Sequence, residues 1–121
     1  MQYYKLIFYV PSSHLEEVKS ALFATGVGRD RHYERCAWQT LGTAQFVPLD
    51  SANPFIGQAN QCQALNEYRV EMLCAEHCLE AAISALKLSH PYEYPAFEVY
   101  SPLLTGAVEG SDSAAAERSA K

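Results

Sequence analysis

The chain has 121 residues, 49% of them apolar or aromatic, which is room for one hydrophobic core and no second domain. Its formal charge of −5 is scattered, with no basic run beyond the spaced Arg29, Arg31 and Arg35. This argues against a nucleic-acid surface, while those three arginines either grip a single anion or sit solvated in a loop.

From the amino end, Tyr3-Tyr4-Lys5-Leu6-Ile7-Phe8-Tyr9-Val10 is aromatic and β-branched, which predicts a strand buried on at least one face. Pro11 stops this run far short of the ~20 apolar residues of a membrane helix, so no membrane association is expected. A secretory signal is not expected either, since the run lacks a basic leader and a small-residue cleavage site. Ser12 or Ser13 is placed to cap a helix over 14–25, in which Leu15, Val18 and Leu22 fall at helical spacing beside Ala21 and Phe23. Glu16 and Glu17 suit the first turn, and Gly26 follows where a left-handed cap is wanted.

After a loop of Gly, Arg and Asp, residues 33–41 carry Tyr33, Cys36, Trp38 and Thr40 among polar neighbours. Gly42-Thr43 offers a turn before Phe46-Val47, so this segment reads as a hairpin. Residues 50–61, with Asn53-Pro54 and Gly57, read as a surface loop. Strand character returns over 65–74, where Tyr68, Val70 and Met72 alternate with Arg69 and Glu71 as in a sheet with one covered face. A second helix is expected over 76–88 and a last strand over 95–101.

Leu15-Glu16 and Ser20-Ala21-Leu22 recur at one spacing as Leu79-Glu80 and Ser84-Ala85-Leu86. An internal duplication accounts for this, and so do two amphipathic helices obeying one pattern. Either way the order is β-α-β-β-α-β, an α+β, ferredoxin-like sandwich. The domain is expected over 1–104. Residues 105–121, with Gly106, Gly110, Ser111, Asp112 and Ser113, have too few large apolar groups to pack and are expected to be disordered.

Several motifs in order carry a family resemblance: Val10-Pro11, Tyr33-Glu34-Arg35-Cys36, residues 42–48 with Phe46, Asn53-Pro54-Phe55-Ile56-Gly57, residues 67–71 with Arg69, and His90-Pro91-Tyr92-Glu93-Tyr94-Pro95-Ala96. Together they resemble the YqfO family over about residues 3–104, that is, the CutA-like and PII-like domain inserted in some dinuclear-metal proteins and also encoded alone. One departure is visible. Ala44 stands where the family usually has a second glycine in the hairpin turn, and a left-handed conformation there would cost alanine about 1 kcal/mol. The resemblance implies an extended β-hairpin and a CutA/PII-like fold. It also implies a homotrimer in which sheet edges meet, and a ferredoxin-like sheet does leave two unpaired edges. The metal ligands of the longer relatives lie in halves that flank the insert, so the resemblance does not bring that metal pair to this chain.

Candidate chemistry concentrates at His90-Pro91-Tyr92-Glu93-Tyr94-Pro95, where Pro91 and Pro95 force His90 and Tyr94 out of helical geometry. One reading is a stiff turn whose polar tips bond backbone, and the other is a ligand- or metal-contacting corner. The candidate ligand-binding set is His90, Tyr92 and Glu93 with Arg69, and the candidate metal set is His90 and Glu93 with Cys36. Cys74, His77 and Cys78 read as two thiols flanking a helix start, with a metal-binding trio as the alternative, which lacks a Cys-x2-Cys pair and a matching second pair. The four cysteines are expected to be free thiols in a reducing cytoplasm, several of them core filler. Trp38, Phe55 and Ile56 are candidate interface residues, since two large apolar side chains in a solvent-facing loop need a cover. No catalytic triad, phosphate loop or pair of catalytic carboxylates is present. The reading is therefore a non-enzymatic, cytoplasmic, homotrimeric binding or regulatory domain of unknown ligand, either a small molecule or a metal. The alternative is a divalent copper- or zinc-binding protein, as the cation-tolerance association of CutA implies.

Overall fold

The computed structural model describes residues 2–104, and the tail expected over 105–121 lies outside them. Strand β1 (Tyr3–Pro11) runs antiparallel to β3 (Gln63–Ala75) along its whole length, from Tyr3 opposite Ala75 to Pro11 opposite Glu67. Strand β4 (Phe97–Tyr100) pairs antiparallel with the other edge of β1, and β2 (Trp38–Phe46) with the outer edge of β3. The sheet order is β2-β3-β1-β4. Helices α1 (Leu15–Phe23) and α2 (Leu79–Ser89) pack against each other on one face, which completes the expected ferredoxin-like arrangement.

Period-two alternation sends Leu6, Phe8 and Val10 of β1 and Val70, Met72 and Cys74 of β3 to the helices. Leu15, Val18 and Leu22 of α1 and Ala82 and Leu86 of α2 meet them from above, with Val27 and Cys78. Each large side chain so buried contributes roughly 1.5–3 kcal/mol. All four cysteines are free; Cys74 and Cys78 are core residues, and burial pushes the Cys74 thiol up to about 11.

Two expectations are corrected. The hairpin does not turn at Gly42-Thr43: β2 passes straight through, with Gly42 opposite Glu67 and Ala44 opposite Leu65, and the connection to β3 is the long segment 47–62. Neither residue has a positive φ, so the missing second glycine carries no penalty. The reason is pairing. Nine consecutive β2 residues meet β3, and a turn at 42 would forfeit those ladder bonds. Tyr33 does not open that strand either, but bridges Asp30 in a tight turn. The second correction is the helix cap. Ser12 and Ser13 are consumed in a 3-10 turn (Ser12–His14), and His14 takes the cap position of α1 without a side-chain cap bond. Ser13 Oγ bonds His14 Nδ1 instead, at 2.8 Å.

Beyond Pro11 the β2–β3 pair continues alone, as residues 43–46 against 63–66, and forms the projecting ribbon. At its other end Gly28 prolongs the sheet. Its N–H donates to the Leu73 carbonyl at 3.0 Å, and its own carbonyl accepts from Cys36 N–H at 2.8 Å. Gly28 has φ +85 and no room for a β-carbon, which would lie 2.7 Å from the Cys36 carbonyl oxygen. Gly28→Ala is therefore expected to lower stability by about 2 kcal/mol. Gly42→Ala, whose nearest neighbour would be the Glu67 carbonyl oxygen at 4.0 Å, is expected to be neutral or slightly stabilising. Urea denaturation at one protein concentration distinguishes the two, and a costly Gly42→Ala would restore the turn at 42.

Candidate functional site

The site grows from the way α2 ends. Pro91 holds His90 extended, at φ −76 and ψ 137, and the chain leaves the helix across the end of β1. The β4 ladder stops with Phe97 opposite Phe8, and the next residue of β1, Tyr9, offers its carbonyl to the His90 side chain. His90 Nε2–H donates to Tyr9 O at 2.6 Å, and His90 Nδ1 accepts from Tyr92 N–H at 3.1 Å. A carbonyl only accepts and an amide N–H only donates, so these two bonds dictate a neutral imidazole protonated at Nε2. Burial holds the His90 pKa below its ordinary 6.5, against the raising pull of the Tyr9 carbonyl bond and of Glu67.

The corner then docks on the ribbon. Tyr92 Oη donates to Glu67 Oε2 at 2.6 Å, and burial followed by this carboxylate holds the Tyr92 phenol well above the ordinary tyrosine range. Glu93 Oε1 accepts from the backbone N–H of Asn53 at 3.1 Å and so ties segment 47–62 to the corner. Phe55 stands edge-on to His14, with ring centroids 5.1 Å apart, and 6.3 Å from Tyr92. Part of the cover expected for Phe55 thus comes from its own chain.

Between segment 47–62, the ribbon and the corner lies a groove of about 330 Å³. Phe46, Pro54, Phe55, Ile56, Tyr92 and Tyr94 form its apolar walls, and Glu67 and Glu93 supply its carboxylates. Of the candidate residues, the groove joins Tyr92, Glu93, Phe55 and Ile56. His90 buttresses the wall from behind, with 6% of its surface exposed. Arg69 is turned to the sheet face away from the helices, beside Glu71 at 3.6 Å, and Trp38 lies on the outer strand opposite Glu71.

The candidate metal set is not assembled. His90 spends both ring nitrogens on backbone, and Cys36 is anchored through Gly28 at Leu73, four residues along β3 from the Arg69 that faces Tyr9. That is about 13 Å of strand. Among the described residues no three His, Cys, Asp or Glu side chains are grouped to hold a metal ion. The sequence reading missed Glu67, Phe46 and Tyr9. Alternation in β1 and β3 places Tyr9 and Glu67 on one face, but only strand register and the docking of the corner bring them and Phe46 to the groove with Tyr92.

This sheet order, with both helices on one face and a projecting ribbon, defines a ferredoxin-type fold of the CutA1 and PII-like class. CutA1 from Ehrlichia chaffeensis matches with a TM-score of 0.62 at 14% identity, covering 85% of this chain and 83% of that one. The PII-like protein CutA from Nostoc sp. PCC 7120 gives 0.58 at 14%, covering 84% and 82%. Likeness at these identities establishes the fold alone.

Closer sequence similarity lies elsewhere. A Bacillus cereus protein related to NIF3 matches with a TM-score of 0.70 at 31% identity, covering 82% of this chain and 25% of that one. The GTP cyclohydrolase 1 type 2 homologs of Mycobacterium leprae and Bacillus subtilis are each 38% identical, over 96 and 106 residues; these are 79% and 88% of this chain but 25% and 28% of theirs. No protein-family model matches the chain. The chain is thus homologous to the YqfO/NIF3 family, as its motifs imply, and spans about a quarter of the length of the curated relatives it matches.

His90 makes stability depend on pH. Its folded pKa is depressed, so between that value and 6.5 the unfolded chain binds more protons and stability rises with pH. The contribution is complete above about 6.5 and is lost as the pH falls below it. Protonation would also point a donor at Tyr92 N–H. His90→Ala is expected to cost about 1–2 kcal/mol at pH near 7.5. His90→Gln should flatten the loss that wild type shows toward a pH of about 5.5, as read by urea denaturation. An unchanged pH profile in His90→Gln would show that the imidazole is not the group responsible.

Proposed function

We propose that the chain is a non-enzymatic binding or regulatory module that works as a homotrimer and takes a small molecule in the groove between segment 47–62 and the His90–Pro95 corner. The groove itself is the observation that carries this reading. Its rings are positioned by bonds within the chain, Tyr92 to Glu67 and Glu93 to Asn53, so the site is preorganised before anything binds. Glu67 Oε1 and Glu93 Oε2 accept no hydrogen bond among the described residues. Aromatic walls beside two carboxylates suit a ligand with a flat apolar body and a hydrogen-bond donor or positive charge.

Assembly is supported by the edges. The outer edge of β2 is unpaired among the described residues, and residues 38–43 are exposed on both faces. Trp38 is 59% and Leu41 53% exposed, and at the opposite edge Tyr100 is 52% exposed. A nine-residue edge with large apolar side chains invites a partner strand. The sheet face away from the helices carries a balanced set, with Lys5 3.8 Å and Arg69 3.6 Å from Glu71, and Glu98 accepting from Tyr9 and Tyr100. Such a face presents both signs of charge to a neighbouring copy. The relatives' name refers to a GTP cyclohydrolase, but the chain spans about a quarter of their length, and among the described residues no three His, Cys, Asp or Glu side chains are grouped to hold a metal ion.

Native mass spectrometry of the protein purified under mild conditions is expected to show three copies, and Trp38→Glu with Leu41→Glu to yield single chains. Phe55→Ala with Tyr94→Ala should remove bound small-molecule mass without changing the subunit number. A monomeric wild type would overturn the assembly, and release of formate from GTP by the purified chain would overturn the non-enzymatic reading.

A further inference from the structure

At the end of β1 remote from the groove lies a second, larger cavity, of about 540 Å³. Its base is apolar, made by Leu73, Ala75, Cys78 and Ala81, and Arg29, Arg31 and His77 stand at its rim. No carboxylate lines it, in a chain whose formal charge is −5. Its two guanidinium groups are not spent on each other's counter-ions. Arg29 meets Glu34 only at 3.9 Å, with both side chains about 70% exposed, a pair of little energetic weight. Arg31 makes no hydrogen bond or ion pair among the described residues. The third arginine of the loop, Arg35, is turned away over the Phe23 ring, 5.7 Å from its centre.

The backbone holds Arg31 at a cost. Asp30 and Tyr33 exchange hydrogen bonds in both directions at 2.9 Å, which closes a two-residue turn with Arg31 at φ 54. Glycine is the residue that such a position favours, and arginine there carries strain. Gly28, immobilised between Leu73 and Cys36, fixes the base of this turn against the sheet. The arginine side chain is therefore presented at the rim of a cavity that no carboxylate lines. His77 enters from the opposite wall, on the turn that leads into α2.

The geometry points to a binding site for the phosphate group of a small organic phosphate, held by Arg29, Arg31 and His77 over the apolar base. Guanidinium forks match phosphate oxygens, and three separate donors around one space suit a group with three terminal acceptors better than a two-oxygen carboxylate. The volume leaves room for an organic body on Leu73, Ala75 and Ala81. The start of α2 beside the cavity adds the favourable end of its dipole. This site is separate from the groove, and neither reading depends on the other.

The test is an NMR titration of the full chain at low salt with phenyl phosphate, inorganic phosphate and citrate. Saturable shifts are expected at Gly26, Arg29, Arg31, His77 and Cys78, with phenyl phosphate the tightest; equal affinity for inorganic phosphate would assign the site to the free anion. Arg29→Gln with Arg31→Gln should weaken binding by about tenfold or more, since both charge-assisted contacts are lost. Arg35→Gln should leave binding unchanged. Arg31→Gly should raise the urea midpoint while weakening phosphate binding, which separates a strained binding residue from a structural one. Citrate binding as tightly as phenyl phosphate, shifts spread evenly over the lysines, or unaltered affinity in the double variant would overturn the proposal.

Discussion

The structure depends on β1 and on what its two edges and two faces are asked to hold. Nine residues pair with β3 on one side, four with β4 on the other, and Leu6, Phe8 and Val10 supply the floor on which both helices rest. Where β4 runs out, the Tyr9 carbonyl takes the His90 imidazole in place of a strand partner. Without that bond a buried carbonyl would go unpaired, and the corner that carries Tyr92 and Glu93 would lose its attachment to the sheet. The fold and the groove thus share one anchor.

The two ends of β1 have opposite chemistry. At the Pro11 end the ribbon and segment 47–62 enclose aromatic walls with Glu67 and Glu93, whereas at the Tyr3 end the loop after α1 brings arginines to a cavity with no carboxylate. A sheet of about 30 Å keeps such sites electrostatically distinct, since the separation exceeds a Debye length at physiological salt. Of the polar groups in between, on the face away from the helices, Lys5 and Arg69 pair with Glu71, and Glu98 accepts from the Tyr9 and Tyr100 hydroxyls. The edges and this face are thereby available for association, while the two sites lie beyond it.

Much of the fold was legible from periodicity. Leu15, Val18 and Leu22 repeat at helical spacing because they share one buried stripe, and Val70 and Met72 alternate with Arg69 and Glu71 because one face of β3 is covered. The failure at Gly42-Thr43 has a specific cause. Local turn propensity is worth about 1 kcal/mol, and the ladder that runs from Trp38 to Phe46 outweighs it. The serine cap failed for a similar reason, since Pro11 leads directly into a 3-10 turn that uses both serines. At the site, the sequence marked the His90–Pro95 corner through its two prolines. It could not show that the imidazole faces inward to a carbonyl while Tyr92 and Glu93 face the groove.

The sequence by itself determined the order of elements, the core stripe of each, and the stop after Ser89, because these follow from local sterics and from the burial of apolar side chains at fixed periods. Only the tertiary structure decided that Glu67 meets Tyr92, that Asn53 meets Glu93, and that Arg29 and Arg31 share a cavity with His77. These residues are far apart along the chain. Strand register and loop docking bring them together, and both are set by the pairing of whole strands, which no single segment encodes.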